Sequence, residues 1–267
     1  MTSGFPSWFP AAPALRRQIR HDLRRLVCWG LDRRSRPYPV IDDARLLVIA
    51  PHQDDSTLGC GGLMLLRRLE GSPVNVVYLT DGSASHPGHP TLTPALLVAL
   101  RREEAEAATA LLGVDHARLT FLDEPDGTLD KLTPERRTAL IERLAAVFRS
   151  ADPEQVLLPY RRDGSSEHEA GFGLVVAALA AAGLKPRLFE YPVWAWWNPL
   201  RMLRPLWQAR RVWRVDHFGY EPIKASAVAA YRSQTQPMPP WTEAVLSSEF
   251  VEAFTPSAEY FFELDPL

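Results

Sequence analysis

The sequence predicts an α/β fold, a mainly parallel sheet with helices on both faces. Two observations carry this. From Arg45 onward, short apolar runs alternate with longer stretches of helical periodicity. The densest polar clusters follow directly after apolar runs, and ligands bind at the carboxyl ends of the strands in such sheets. At 267 residues, with 46% hydrophobic and 23% charged side chains, the chain is long enough to bury such a sheet without disulfide staples.

Arg45 to Ala50 (RLLVIA) reads as the first buried strand and Val74 to Thr80 as the second. Leu63 to Leu69 suits the helix between them, with Gly71 as its stop. Thr93-Pro94 supplies an N-cap and a first-turn proline for a helix that runs to Gly113. Arg118 to Leu122 is the third strand. Thr133-Pro134 opens the next helix, with Leu140, Ile141, Leu144, Val147 and Phe148 on one face. Gln155 to Pro159 is the fourth strand, Ala170 to Ala182 a small-residue helix, and Leu188 to Val193 the fifth strand.

Two segments fall outside this alternation. Residues 1–44 form a basic extension with eight Arg and four Asp. Within it Leu15, Ile19, Leu23 and Leu26 repeat at helical spacing, which predicts a helix packed on the domain; a peripheral membrane contact through residues 15–27 is the competing reading. The second domain boundary leaves residues 45–267 as the main unit, with an insertion around 195–214 rich in Trp and in arginines such as Arg201, Arg204, Arg210, Arg211 and Arg214.

Composition narrows the function. A net charge of −2 gives no general pull toward nucleic acid. Two cysteines, Cys28 and Cys60, make no disulfide framework. No apolar run approaches the ~20 residues needed to cross a bilayer, and the N-terminus lacks the order of a secretory signal, so a cytoplasmic location is expected.

The chemistry concentrates in Pro51-His52-Gln53-Asp54-Asp55-Ser56, directly after the first strand and followed by Gly59-Cys60-Gly61-Gly62. His52 and Asp55 suit a divalent cation, and Asp54 remains free to act as a base. His168, in the loop after the fourth strand, reaches the same sheet edge and supplies a third ligand, leaving coordination positions for water as a catalytic zinc site requires. The GCGG run lacks the G-x-G-x-x-G pattern of a dinucleotide-binding oxidoreductase.

These motifs resemble those of the LmbE-like, or PIG-L, zinc deacetylases. The segment PHQDDSTLGCGG is similar to that family's Ala/Pro-His-Pro-Asp-Asp-Glu loop and its glycine run. Thr80-Asp81-Gly82, Arg101 to Glu104 with Leu112-Gly113, Asp163 to His168, Glu190 to Trp194 and Tyr231 to Gln234 follow in the family's order. The resemblance runs from about Arg45 to about Gln236. It implies a Rossmann-like fold and a metal-dependent hydrolase that removes an N-acetyl group from an amino sugar or glycoconjugate, free or linked to a nucleotide or lipid. Another amidase, or a weakly active or non-catalytic relative, is the alternative. The resemblance implies Zn2+ (or Fe2+ or another divalent metal) on His52, Asp55 and His168, with Asp54 as general base. Arg101 matches a substrate-contacting arginine. Asp81, Ser165, Trp194 and His217 complete the candidate substrate edge, with Asp81 also placed to orient a ligand. His86 and His89 lie beyond Asp81 on the same edge.

The chain departs from the family pattern in three places. Gln53 and Ser56 stand for the usual Pro and Glu. Ser165 stands where the family has a histidine that helps hold the transition state, and a hydroxyl cannot act as an imidazolium at neutral pH. His217, just after the Trp/Arg segment, is the expected replacement for that lost donor, with Arg101 and the Ser165 hydroxyl itself as the others.

Overall fold

A computed structural model describes residues 13–39, 44–208 and 211–265. Residues 1–12 and 40–43 of the expected extension, and Arg210 of the Trp/Arg segment, lie outside them. In chain order the elements are α1 (Pro13–Arg34), β1 (Ser35–Pro37), β2 (Leu46–Ala50), α2 (Asp55–Leu69), β3 (Val74–Thr80), α3 (Pro94–Leu111), β4 (Leu119–Glu124), α4 (Pro134–Ala151), β5 (Gln155–Pro159), α5 (Ser166–Ala182) and β6 (Arg187–Tyr191). After 3-10 turns at Trp194–Trp196 and Pro199–Met202 come α6 (Leu203–Gln208), β7 (Arg211–Asp216), α7 (Glu221–Ala229), α8 (Arg232–Thr235), α9 (Ser248–Val251) and β8 (Ala258–Glu263).

The strands form one sheet in the order β1-β7-β8-β6-β5-β2-β3-β4. Every pairing is parallel except those of β8, which runs antiparallel between β6 and β7. This is the predicted α/β class. β2 and β5 are buried along their whole length, as expected for apolar runs, with Gln155 at the start of β5 accepting a hydrogen bond from the Tyr38 hydroxyl. From β2 the chain builds outward through β3 to β4, then returns to β5 and builds the other way through β6. The reversal falls between β2 and β5, and in open α/β sheets this switch point opens the crevice in which ligands bind.

Local signals set the helix starts. Thr93 and Thr133 accept hydrogen bonds from the backbone N–H groups of Leu96 and Arg136, each 3.3 Å away, and each threonine is followed by a proline. Two cores cover the sheet. One joins α1, α2 and the later helices through residues such as Leu31, Met64, Tyr231 and Phe250. The other lies beneath α4 and α5 around Leu144, Phe148, Leu174 and Leu179.

α2 starts at Asp55, eight residues before the expected helix, so the glycine run is helical. The glycines serve close approach to the sheet. A Cβ on Gly59 would lie 2.3 Å from Tyr191 Cδ2, and one on Gly62 2.3 Å from His217 Nδ1. Tyr191 cannot move aside freely, because its hydroxyl donates to the Ile49 carbonyl at 2.7 Å. Gly59→Ala is therefore expected to destabilise the fold by about 1–3 kcal/mol through overpacking, despite alanine's better helix propensity. Urea denaturation of the two proteins measures this, and an unchanged midpoint would mean the helix shifts at no cost.

The flanking segments enter the same sheet. β1 pairs with β7, Ser35 to Pro37 matching Val212 to Arg214, and Val27 and Leu31 of α1 are buried. β7 overlaps the end of the Trp/Arg segment at 211–214 and is itself a strand, with Val212, Trp213 and Val215 buried.

Candidate metal and catalytic site

The ends of β2 and β5 bring the polar clusters together. His52 leaves β2 in a loop anchored by Thr80, whose N–H and hydroxyl both donate to the Pro51 carbonyl, at 3.0 and 2.8 Å. Asp55 opens α2, where its negative charge is favoured by the helix N-terminus. His168 lies in the first turn of α5. Asp55 Oδ2 is 3.1 Å from His52 Nδ1 and 3.2 Å from His168 Nε2. The donor atoms of the three residues lie within 4.8 Å of one another. Tetrahedral ligands at about 2.0–2.2 Å from a zinc ion stand roughly 3.3–3.6 Å apart, so this spacing suits a small divalent cation. The His168 ring is fully buried, and among the described residues neither of its nitrogens makes a hydrogen bond of good geometry. A buried imidazole in that state, facing a carboxylate and a second imidazole, fits a metal ligand.

Carboxylates back both histidines. His52 Nε2 lies 2.8 Å from Glu167 Oε2 and 3.2 Å from Asp126 Oδ1. Glu167 is held in turn by the N–H groups of Gly127 and Leu129, which donate to its Oε1. Asp163 Oδ2 stands 2.8 Å from His168 Nδ1. The Asp163 carboxylate is buried and accepts the N–H groups of Val193, Trp194 and Ala195 at 2.8–2.9 Å. Such partners orient metal-binding imidazoles and raise their basicity. Burial alone would lower the His168 pKa, but Asp55 and Asp163 outweigh it and push it up to about 9. His52 is likewise raised against its burial, by Asp126, Asp55 and Glu167. In the other direction, His168 and His52 hold the Asp55 carboxyl far below its usual range although burial opposes this.

Asp54 is buried beside these residues, and its Oδ1 accepts a 2.7 Å hydrogen bond from Arg101 Nη2. Arg101 Nε donates to Gln53 Oε1, and Gln53 Nε2 donates to the Thr80 carbonyl at 2.8 Å. Gln53, in the place of the family proline, thus ties Arg101 to the ends of β2 and β3. The Asp54 carboxylate raises the Arg101 pKa against its burial. Arg101 Nη1 has no hydrogen-bond partner among the described residues and, on the same planar group as Nη2, lies beside Asp54.

The other candidates are placed as follows. Asp81 accepts the N–H groups of Ser83 and Asp126, so it reaches His52 only through Asp126. Ser165 caps α5 without a side-chain capping bond and is partly exposed next to Gly164. Trp194 packs its ring on Phe250, centroids 4.8 Å apart, and its N–H holds Asp163. His86 and His89 are buried and pack against Trp241, each ring centroid 5.2 Å from it. The structure does not bring His217 to this group. Its ring packs on Gly62, seven residues along α2 from Asp55, which is roughly 10 Å along the helix. The expected compensation for Ser165 by His217 therefore fails on distance, and of the other two candidates Arg101 is the one hydrogen-bonded to Asp54.

Sequence reasoning gave no role to Asp163, Glu167 or Asp126. The first two flank His168 within six residues, and acidic residues beside a candidate ligand at a helix start are the signal that could have found them. Asp126 lies on a separate loop and carries no such signal. Asp163→Asn, with its oxygen at the Oδ1 position, is expected to keep the bonds from Val193 and Ala195, to lose the one from Trp194, and to weaken metal affinity about 10–100-fold. Competition with a chromophoric chelator measures this, and unchanged affinity would mean that Asp163 serves only to hold residues 193–195.

Residues 47–179 match the family model described as GlcNAc-PI de-N-acetylase, PIG-L. The chain is similar to the diacetylchitobiose deacetylase of Thermococcus kodakarensis, 35% identical over 160 residues, covering 55% of this chain and 53% of that protein. It thus spans about half the length of this curated relative. Among solved structures it is similar to the conserved protein TT1542 of Thermus thermophilus, with 29% identity, a TM-score of 0.61 and coverage of 84% of this chain and 96% of that one. It shares its fold with GalB of Pseudomonas putida, a 4-carboxy-2-hydroxymuconate hydratase, at a TM-score of 0.63, 20% identity and coverage of 83% of this chain and 96% of that one. No helix among the described residues is long and apolar enough to cross a membrane.

Proposed function

Because residues 47–179 are a domain of the PIG-L family, we propose that this chain is a metal-dependent hydrolase that removes an N-acetyl group from an amino sugar or glycoconjugate. The observation that carries the reading is the convergence of His52, Asp55 and His168 donors beside an Asp54 carboxylate that is not one of them. His52, Asp55 and His168 would hold zinc or another divalent ion. Such an ion, when bound, lowers the pKa of a water to about 7 and polarises the amide carbonyl.

The chain's own residues supply the rest. Asp54 spends Oδ1 on Arg101, leaving Oδ2 to take a proton from the attacking water and return it to the leaving amine. Arg101 fixes the angle of that carboxylate, and its Nη1, which has no partner among the described residues, would donate to an oxyanion that forms next to Asp54. Glu167 holds the His52 ring, and Asp163 stands 2.8 Å from His168 Nδ1, where it would favour the proton on that nitrogen and leave Nε2 toward Asp55. The test is metal analysis of the purified protein, followed by acetate and amine release from a panel of N-acetylated sugars. Bound metal without turnover on any of them would reject the deacetylase reading.

Ser165 favours a second reading, a slower relative on the same fold. If the missing imidazole limits the rate, Ser165→His is expected to raise kcat by about 10-fold or more, within the range of one general acid. A fall in kcat with metal retained would show that the site has been rebuilt around the serine.

A further inference from the structure

α1 turns two faces outward in different senses. Its inner face buries Val27 and Leu31 and lays Arg20 over the Trp197 ring at 3.6 Å. Its outer face exposes Leu26 (60%) and Trp29 (55%), which a helix that merely packs on a domain would cover with polar side chains. Gly30 lies about 40° around the helix from Leu26, and there Leu206 of α6 packs against the helix. α6 therefore extends the outer face, and it too is apolar outward: Trp207 is 82% exposed, with Leu203 one turn before it and Leu200 just upstream also exposed. Exposed tryptophans and leucines gathered on one surface mark an interaction site.

The charges around this surface identify its partner. Arg25, Arg33 and Arg204 are exposed beside the apolar residues, and the Arg33 guanidinium lies 4.2 Å from the centre of the Trp29 ring. Of the seven Arg of α1, Arg17 and Arg20 pair with Glu252 and Glu249, while Arg25 and Arg33 stand exposed on the outer face. Tryptophan and leucine ringed by arginine match the boundary between lipid headgroups and acyl chains, where the rings enter and the cations meet phosphates. The surface also comes close to the candidate site: Arg201, next to Leu200, lies over Gly164 in the loop that bears Ser165 and pairs at 3.9 Å with Glu169 in the first turn of α5.

From this combination we infer that the outer face of α1 and the 200–207 segment dock the protein onto an anionic bilayer surface, with the mouth of the site beside the lipid. The docking does not depend on which reaction the site performs. The test is flotation of the full chain with vesicles of phosphatidylcholine alone and of phosphatidylcholine mixed with phosphatidylglycerol. Binding is expected only to the mixed vesicles and is expected to fall as salt screens the arginines. Arg25→Gln and Arg33→Gln are each expected to weaken it about fivefold, and the double variant Trp29→Ser/Trp207→Ser about tenfold or more. All four positions are exposed, and circular dichroism checks that the variants fold. In the unaltered protein, brominated acyl chains are expected to quench tryptophan emission, a signal that the double tryptophan variant reduces. No binding to the mixed vesicles, or equal binding to both kinds, overturns the inference. A dimer in sedimentation that the tryptophan variant abolishes, without vesicle binding, also overturns it and assigns the face to a second copy of the chain.

Discussion

Asp54→Asn is expected to leave the fold and the bound metal in place while lowering kcat about 10²–10⁴-fold. The substitution separates two roles that the structure gives one side chain. Asparagine keeps an oxygen that can accept the 2.7 Å hydrogen bond from Arg101, so the buried guanidinium retains its partner. It removes the anionic oxygen that would take the proton. Asp54 is also not among the three residues whose donor atoms cluster, so metal content should stay at the unaltered level. The measurement is kcat together with metal per chain on the same preparation. Full activity with metal retained would show that Asp54 only anchors Arg101. Loss of metal would place Asp54 among the ligands and remove its assignment as base.

β2, β3 and β5 were legible because they are buried on both faces and so appear as largely apolar runs, as in Leu46 to Ala50 and Val156 to Pro159, whereas β4 at the sheet edge is only partly buried. Helix starts at Thr93 and Thr133 were legible because a cap and a first-turn proline are local signals. The half of the sheet beyond β6 was not. In β7 arginines interrupt the apolar residues, and the strand exists because β8 pairs with it along Arg211 to Asp216. β1 has only three residues, and its pairing with β7 cannot be read from Ser-Arg-Pro. The early start of α2 was hidden by its glycines, which disfavour a helix in isolation and are tolerated here because Tyr191 and His217 fill the space beside them. Within the site, the His52, Asp54, Asp55 and His168 grouping followed from the rule that strand ends share an edge. Asp126 and Asp163 follow β4 and β5 on that same edge but received no role, because a buried carboxylate such as Asp163, held by three backbone N–H groups, looks in sequence like any turn aspartate. His217 illustrates the converse error. It sits at the end of a strand on the correct edge, but β8 and β6 separate that strand from β5, so sharing an edge does not bring it within reach.

Metal affinity is expected to fall steeply as the pH drops from about 9 toward 6, and the slope reports on both histidines. A ligand imidazole must be neutral. The His168 pKa is pushed up to about 9, because Asp55 and Asp163 outweigh its burial, and His52 is raised well above its ordinary value by Asp126, Asp55 and Glu167. Near neutral pH the cation must therefore displace a proton from each ring, and each displaced proton costs about tenfold in affinity per pH unit. Between pH 8 and 6 the proton on His168 alone should cost about 10²-fold, and the raised His52 adds to the loss. Titration calorimetry in buffers of different ionisation enthalpy counts these protons directly. In chelator-treated protein the sign reverses. A raised histidine pKa contributes stability that is fully present below its unfolded value of about 6.5 and is lost as the pH rises through the folded value, about 9 for His168. A cluster that served only to pair charges in the fold would show the second trend without the first. Affinity that is flat across this range, with no proton released, would mean that the cation binds elsewhere and that His52 and His168 are structural.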